Sequence, residues 1–373
     1  MSAPGNSSNG FCIEVDTLMT IKTRIWTPVD YEIDGKQCDC LRLPHSTDLS
    51  AYGFVPIPIV CIKSGSGPTA LLIAGNHGDE YEGQVALSNL ALEIHADDVR
   101  GRIIILPALN FPAVEAGRRV SPLDGGNLNR LFPGDVLGSP TQMIAHYVSD
   151  VLLPMADIVI DLHAGGRSLH YLPSALVRTG GTQEETAKLV ELLGVFGAPV
   201  SSISDGSGGG GATTLAAVAQ QLNVPALTAE LGGGAGLSRD GLQLAEQGVR
   251  RVLKHYGILP DIKVDPAPGT RLMKVDGRDA FTYALTSGIF EPAAEVGEPV
   301  KAGQLAGRVH PIGWPMHQVE TVHFSQSGLV ACRRAPSLTA PGDCLYKVMV
   351  NIGTQASLAR SRHQELQAAN HNR

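Results

Sequence analysis

From Thr69 onward, short apolar runs alternate with stretches of helical period, and no other feature of this 373-residue chain restricts its fold so tightly. The runs 69–75, 102–109, 157–162, 174–178 and 225–230 are rich in Ile, Val, Leu and Ala and have the length of buried strands. Between and after them, 80–95, 141–153, 181–196, 213–222 and 238–256 carry the period of helices. Alternation of this kind predicts an α/β fold, a mixed, largely parallel sheet flanked by helices. Residues 11–64 hold β-like runs such as 20–26 and 57–62, broken by Pro and Gly, which should flank that sheet.

Three of the runs stop at residues that carry chemistry. The first ends in Gly75-Asn76-His77-Gly78-Asp79-Glu80, the third at His163, and the last at Glu230, followed by Gly232-Gly233-Gly234. In open α/β sheets, ligands gather beyond the carboxyl ends of strands, so these sequence-distant groups should meet on one rim. Two imidazoles and a carboxylate are the donor set of hydrolytic zinc, which keeps a fourth position open. The reading is therefore one zinc per chain on His77, Glu80 and His163, with Glu230 placed to take a proton from an activated water. Taken alone, His-Gly-Asp-Glu reads equally well as a turn with a satisfied histidine in a chain of 12 His. The other two run ends tip the balance. Asp161, two residues before a ligand on an extended segment, reads either as a partner that orients an imidazole or as a strand-end cap.

The loop 117–134 concentrates Arg118, Arg119, Arg130, Asn127 and Asn129 among Gly and Pro. Guanidinium forks match carboxylates, and a hydrolase of acyl amino acids needs a carboxylate clamp and a cation for the developing oxyanion. The same residues also read as solvated loop charges and turn formers. Residues 205–214, rich in Gly, lack the Lys-Ser/Thr ending of a phosphate cradle and suit a wall or lid over the site. Among the remaining histidines only His170, seven past His163, is close enough in sequence to be a pocket residue.

Bulk properties narrow the partners. The net charge of −7, with no block of Lys or Arg, argues against nucleic acid or an anionic membrane surface and for a small molecule. No apolar run reaches a membrane span, and the first ten residues have neither a basic region nor a signal core, which predicts the cytoplasm. Cys12, Cys38, Cys40, Cys61, Cys332 and Cys344 lack Cys-x-x-Cys spacing and read as reduced and structural; Cys38 and Cys40 alone would make a weak metal site.

Four segments follow: a leader at 1–10, a catalytic α/β domain at 11–260, an all-β domain at 261–355 and a polar tail at 356–373. In the third, 287–305 resembles half of a biotinyl/lipoyl-type barrel, yet the region comparable to the carrier hairpin, 314–320, has no lysine. That predicts a barrel-like shape without a carrier role. Set over the cleft, such a domain would favour small substrates over a peptide groove.

His77-Gly78-Asp79-Glu80, Asn127-Leu128-Asn129-Arg130, Asp161-Leu162-His163 and Glu230, in this order, resemble the aspartoacylase/succinylglutamate desuccinylase family. The resemblance runs from about Thr69 to Gly234 and implies a zinc-carboxypeptidase-like fold. It implies zinc on His77, Glu80 and His163, Glu230 as catalytic acid/base and Arg119 polarising the scissile carbonyl. It also implies Asn129 and Arg130 holding the carboxylate of an N-acyl amino acid. Within the family, the texture of Asp161–Gly166 is similar to the bacterial Nα-acetyl-diaminobutyrate deacetylases of ectoine breakdown. Asn127 stands where an acidic residue is frequent, and Ala164 where Ser is frequent. Other readings are a carboxypeptidase on peptides, a succinylglutamate or aspartate deacylase, and a ligand-binding protein without catalysis. Assembly into a homo-oligomer is left open.

Overall fold

The computed structural model describes residues 22–179, 181–204, 206, 211–313 and 318–354. The predicted leader and tail, Cys12, most of the 205–210 run and the tip 314–317 lie outside the described residues.

The first part of the chain contains β1 (Gly35–Pro44), β2 (Phe54–Ser64), β3 (Thr69–Ala74), α1 (Tyr81–Glu93), β4 (Gly101–Leu106), α2 (Phe111–Ala116) and α3 (Pro140–Tyr147). There follow β5 (Ile158–His163), β6 (Leu169–Tyr171), β7 (Ser174–Arg178), α4 (Gln183–Phe196), β8 (Val200–Ser204), α5 (Leu215–Gln221), β9 (Ala226–Glu230) and α6 (Arg239–His255). The remainder is almost entirely extended: β10 (Arg271–Lys274), β11 (Phe281–Tyr283), β12 (Gly288–Pro292), β13 (Pro299–Val300), β14 (Leu305–His310), β15 (Glu320–His323), β16 (Gly328–Arg334), β17 (Leu338–Thr339) and β18 (Cys344–Thr354).

A large sheet runs β1-β2-β4-β3-β5-β9-β7-β8-β10-β18-β16-β13, with β6 and β11 joined to β16 and β18. Every residue of β3 and β5 is buried, as expected of strands covered on both faces. One face, with Leu72, Ile105, Ile160 and Leu162, packs on α1, α4 and α6; the other, with Leu71, Ile73, Ile104 and Val159, packs on α3 and α5. Among the described residues no helix is long and apolar enough to cross a membrane.

The five apolar runs from Thr69 onward all form strands, whereas 22–26 makes only an isolated bridge from Trp26 to Arg42, and the sheet is less parallel than expected. β4, β3, β5 and β9 run parallel, whereas β7 lies antiparallel to β9, and β8 and β10 follow the direction of β7. Period-two patterning carries no information on strand direction, so this reversal had no signal in the sequence. The C-terminal strands join the same hydrogen-bonded network: β10 pairs with β8 and β16 pairs with β6. A second sheet, β15-β14-β12-β17, contributes Phe290, Val309 and Val322 to an apolar cluster shared with Val330, Tyr346 and Val348 of the large sheet.

What positions the site is a change of character along two strands. On the face covered by α3 and α5, β5 carries Val159 and then Asp161 and His163, while β9 carries Ala226 and then Thr228 and Glu230. Apolar residues end where the sheet leaves its helical cover. The turn after β3 is compressed against α2: Gly75 has φ +69°, and a Cβ on Gly78 would lie 1.9 Å from the Ala113 carbonyl oxygen. Gly78→Ala is therefore expected to destabilise the protein by about 1–3 kcal/mol or more, the scale of overpacking, and to loosen the His77–Glu80 turn. Chemical denaturation of the metal-free protein measures the first effect; an unchanged midpoint would show that the turn relaxes freely.

Candidate active site

His77 and Glu80 sit on the turn between β3 and α1, His163 is the last residue of β5, and Glu230 is the last of β9, directly beside His163 in register. One nitrogen or oxygen from each of His77, Glu80 and His163 lies within 4.8 Å of the other two. All three side chains are buried. The Glu80 carboxylate faces both rings: Oε1 is 2.7 Å from His77 Nδ1, and Oε2 is 2.9 Å from His163 Nδ1.

The far nitrogens are held by acceptors. His163 Nε2 lies 2.8 Å from Asp161 Oδ2, and His77 Nε2 lies 3.0 Å from Asn127 Oδ1. Both oxygens accept hydrogens, so each Nε2 carries one and each Nδ1 is left as the donor atom for a cation. Asp161 thus takes the orienting place that was one of its two readings. Asn127, which the sequence suggested only as a turn former or a departure from a family pattern, does the same for His77; no local signal distinguishes the two roles of an Asn.

The electrostatics agree with a cation site. Burial alone would raise the Glu80 carboxyl, but the two imidazoles outweigh it and hold the group well below the usual carboxylate range. Burial alone would lower His163, yet Asp161 and Glu80 outweigh it and push the ring well above its ordinary range. Burial pushes Glu230 up to about 7, with the charge on Glu80 adding to the rise and those on His163, Lys347 and Arg119 opposing it. Its Oε2 is enclosed and has no hydrogen-bond partner among the described residues.

The acids at the start of α1 also fix the neighbouring loops. Asp79 Oδ2 accepts from Arg167 N at 2.9 Å, Glu80 Oε2 from Ala164 N at 3.0 Å, and Glu82 Oε1 from Ser238 N at 2.9 Å.

These groups open onto a cavity of about 420 Å³. Arg119, Asn129, Arg130, Tyr171 and Lys347 all line it. Arg119 Nη1 is 3.3 Å from Glu80 Oε1, with the guanidinium half-exposed. Asn129 Nδ2 is 3.3 Å from His163 Nε2, its Oδ1 accepts from Leu215 N at 3.1 Å, and its carbonyl accepts from Arg130 Nη1 at 2.7 Å. Arg118 is not among the lining residues. Neither is His170: side chains alternate along β6, so Leu169 and Tyr171 face the cavity and His170 does not. Lys347, on β18, had no sequence signal; its Nζ lies 3.4 Å from the Tyr171 hydroxyl and 4.5 Å from that ring's centre.

The family model described as the succinylglutamate desuccinylase/aspartoacylase catalytic domain matches residues 66–256. The chain is 42% identical over 323 residues to the N-alpha-acetyl-L-2,4-diaminobutyric acid deacetylase of Halomonas elongata, covering 85% of this chain and 92% of that protein. A product-bound structure of the ectoine utilization protein EutE (DoeB) from Ruegeria pomeroyi superposes with a TM-score of 0.84 at 39% identity, over 88% of this chain and 99% of the other. The succinylglutamate desuccinylase/aspartoacylase structure from Rhodobacter sphaeroides superposes with a TM-score of 0.83 at 37% identity, over 88% and 100%.

The geometry predicts a metal site with a defined dependence on its surroundings. His77→Ala and His163→Ala should abolish stoichiometric metal by elemental analysis, and Asp161→Ala should weaken metal affinity about 10–100-fold in chelator competition. Protons compete for His163, whose affinity for them is raised, so metal affinity should already fall with decreasing pH above the ordinary imidazole range. Full retention of metal in both histidine variants would place the cation elsewhere.

Proposed function

The chain belongs to the succinylglutamate desuccinylase/aspartoacylase family of amide-bond hydrolases, and from that premise we propose that it is a zinc-dependent deacylase of a small N-acyl amino acid. Nα-acetyl-L-2,4-diaminobutyrate, the substrate named for the Halomonas elongata relative, is the first candidate. The observation that carries the reading is the buried His77–Glu80–His163 donor set facing a cavity that Glu230 also lines.

Nitrogen, nitrogen and carboxylate oxygen suit zinc, and the second nitrogen of each ring already has an acceptor, so the residues fit the ion. When bound, zinc supplies a Lewis acid that activates water and the acyl carbonyl. The chain's own groups do the rest. Glu230, with its carboxyl near 7 and lining the cavity, accepts a proton from the attacking water and later returns it to the leaving amine. Arg119, beside Glu80 at the mouth of the metal site, offsets charge on the carbonyl oxygen. Asn129, anchored by Leu215 N, and Arg130 take the substrate carboxylate and fix the attack geometry.

Cavity size favours this reading over a peptidase. About 420 Å³ is ample for an acetylated amino acid, and we read 261–355 as a barrel-like unit that contributes Phe281 and Lys347 to the wall where a peptide would have to continue.

Glu230→Gln should keep metal and fold while losing on the order of 10²–10⁴ in kcat. Turnover within a few-fold of the original would assign the proton transfers to another group. Arg130→Ala should cost about 1.5–3 kcal/mol in kcat/KM on an acetylated amino acid, the scale of a hydrogen bond to a charged group, and much less on its carboxamide. Equal losses on acid and amide would remove Arg130 from carboxylate recognition.

A further inference from the structure

Strand register places a row of side chains across the cavity floor beside the metal site. Asp161 of β5 pairs with Thr228 of β9, Thr228 with Leu176 of β7, and Leu176 with Ser202 of β8. All four line the same cavity as Glu230. Thr228 precedes Glu230 by two residues, so both point to one face about 7 Å apart along the strand. Asp161 gives Oδ2 to His163 while its Oδ1 is enclosed without a partner, and the Thr228 and Ser202 hydroxyls also have no hydrogen-bond partner among the described residues. Arg178, one row further out, donates Nε to Gln220 Oε1 at 2.9 Å and Nη1 to the Gly211 carbonyl at 3.2 Å, which fix it at the outer wall.

We propose that Thr228 is a specificity-determining residue whose hydroxyl hydrogen-bonds the polar end of a short side chain on the leaving amino acid. Leu176 supports the methylenes, and Ser202 marks the far end of the pocket. The assignment rests on the deacylase reading: if Glu230 returns a proton to the leaving amine, the carbon skeleton carrying that amine starts beside Glu230. A side chain of two carbons and one polar atom then reaches the next same-face residue of β9, which is Thr228. A hydroxyl committed to such a group discriminates against an apolar isostere, because it would otherwise be left without its partner.

The test compares Nα-acetyl-2,4-diaminobutyrate with Nα-acetylnorvaline, whose side chains match in size and differ in the terminal atom. Thr228→Val should reduce the ratio of their kcat/KM values about 10–100-fold, and Thr228→Ser should preserve it. An unchanged ratio in Thr228→Val, or an equal fall in Thr228→Ser, overturns the proposal. So does a change in Thr228→Val that follows acyl length, acetyl against propionyl, which would make this the acyl pocket. Should the unaltered enzyme hydrolyse neither compound, the deacylase reading fails. Calorimetric binding of free 2,4-diaminobutyrate and norvaline to the zinc-loaded protein and to Thr228→Val then decides the subsite by itself, the same loss of discrimination supporting it and equal affinities overturning it.

Discussion

The Glu80 carboxylate, buried between two imidazoles, is the contact on which the rest of the site depends. A lone carboxylate taken out of water costs several kcal/mol, and here that cost is offset by His77, His163 and the Ala164 N–H arriving from separate parts of the chain. The charge can be buried only if β3, β5 and α1 are in register with one another. Conversely, those elements gain a shared reason to stop at the same level of the sheet.

Glu80 is one of three acids within four residues that reach different loops. Asp79 holds the segment after β5, Glu82 the segment after β9, and Glu80 the rings themselves. Carboxylates at this end of α1 also sit where the helix dipole favours negative charge. The first turn of one helix therefore sets the relative height of the His77, Glu80 and His163 side chains and of the loop that follows Glu230. Rigidity of this kind is what an acid/base group needs if it is to meet both water and a leaving amine without a large motion.

Much of this was legible in the sequence, and the boundary is physical. Runs such as 69–75 and 157–162 were readable because burial on both faces demands unbroken apolar residues, and their ends were readable because His77, His163 and Glu230 interrupt that demand. Asn127 was not, since its amide suits a turn and a ring nitrogen equally well. The reversal of β7 and the pairing of Leu176 with Thr228 were beyond reach, because both depend on long-range register. Lys347 arrives from a strand with no local mark of chemistry; only the pairing of β16 with β6 and with β18 brings it opposite Tyr171.

That last pairing bears on the order in which the enzyme is made. The segments bearing His77, Glu80, His163 and Glu230 leave the ribosome well before residues 344–354, which then pair with β10, β11 and β16 together. Long-range strand pairing is slow to form and comes after local structure. The nascent chain can thus bring His77, Glu80, His163 and Glu230 together while the cavity still lacks the part of its wall that Lys347 supplies.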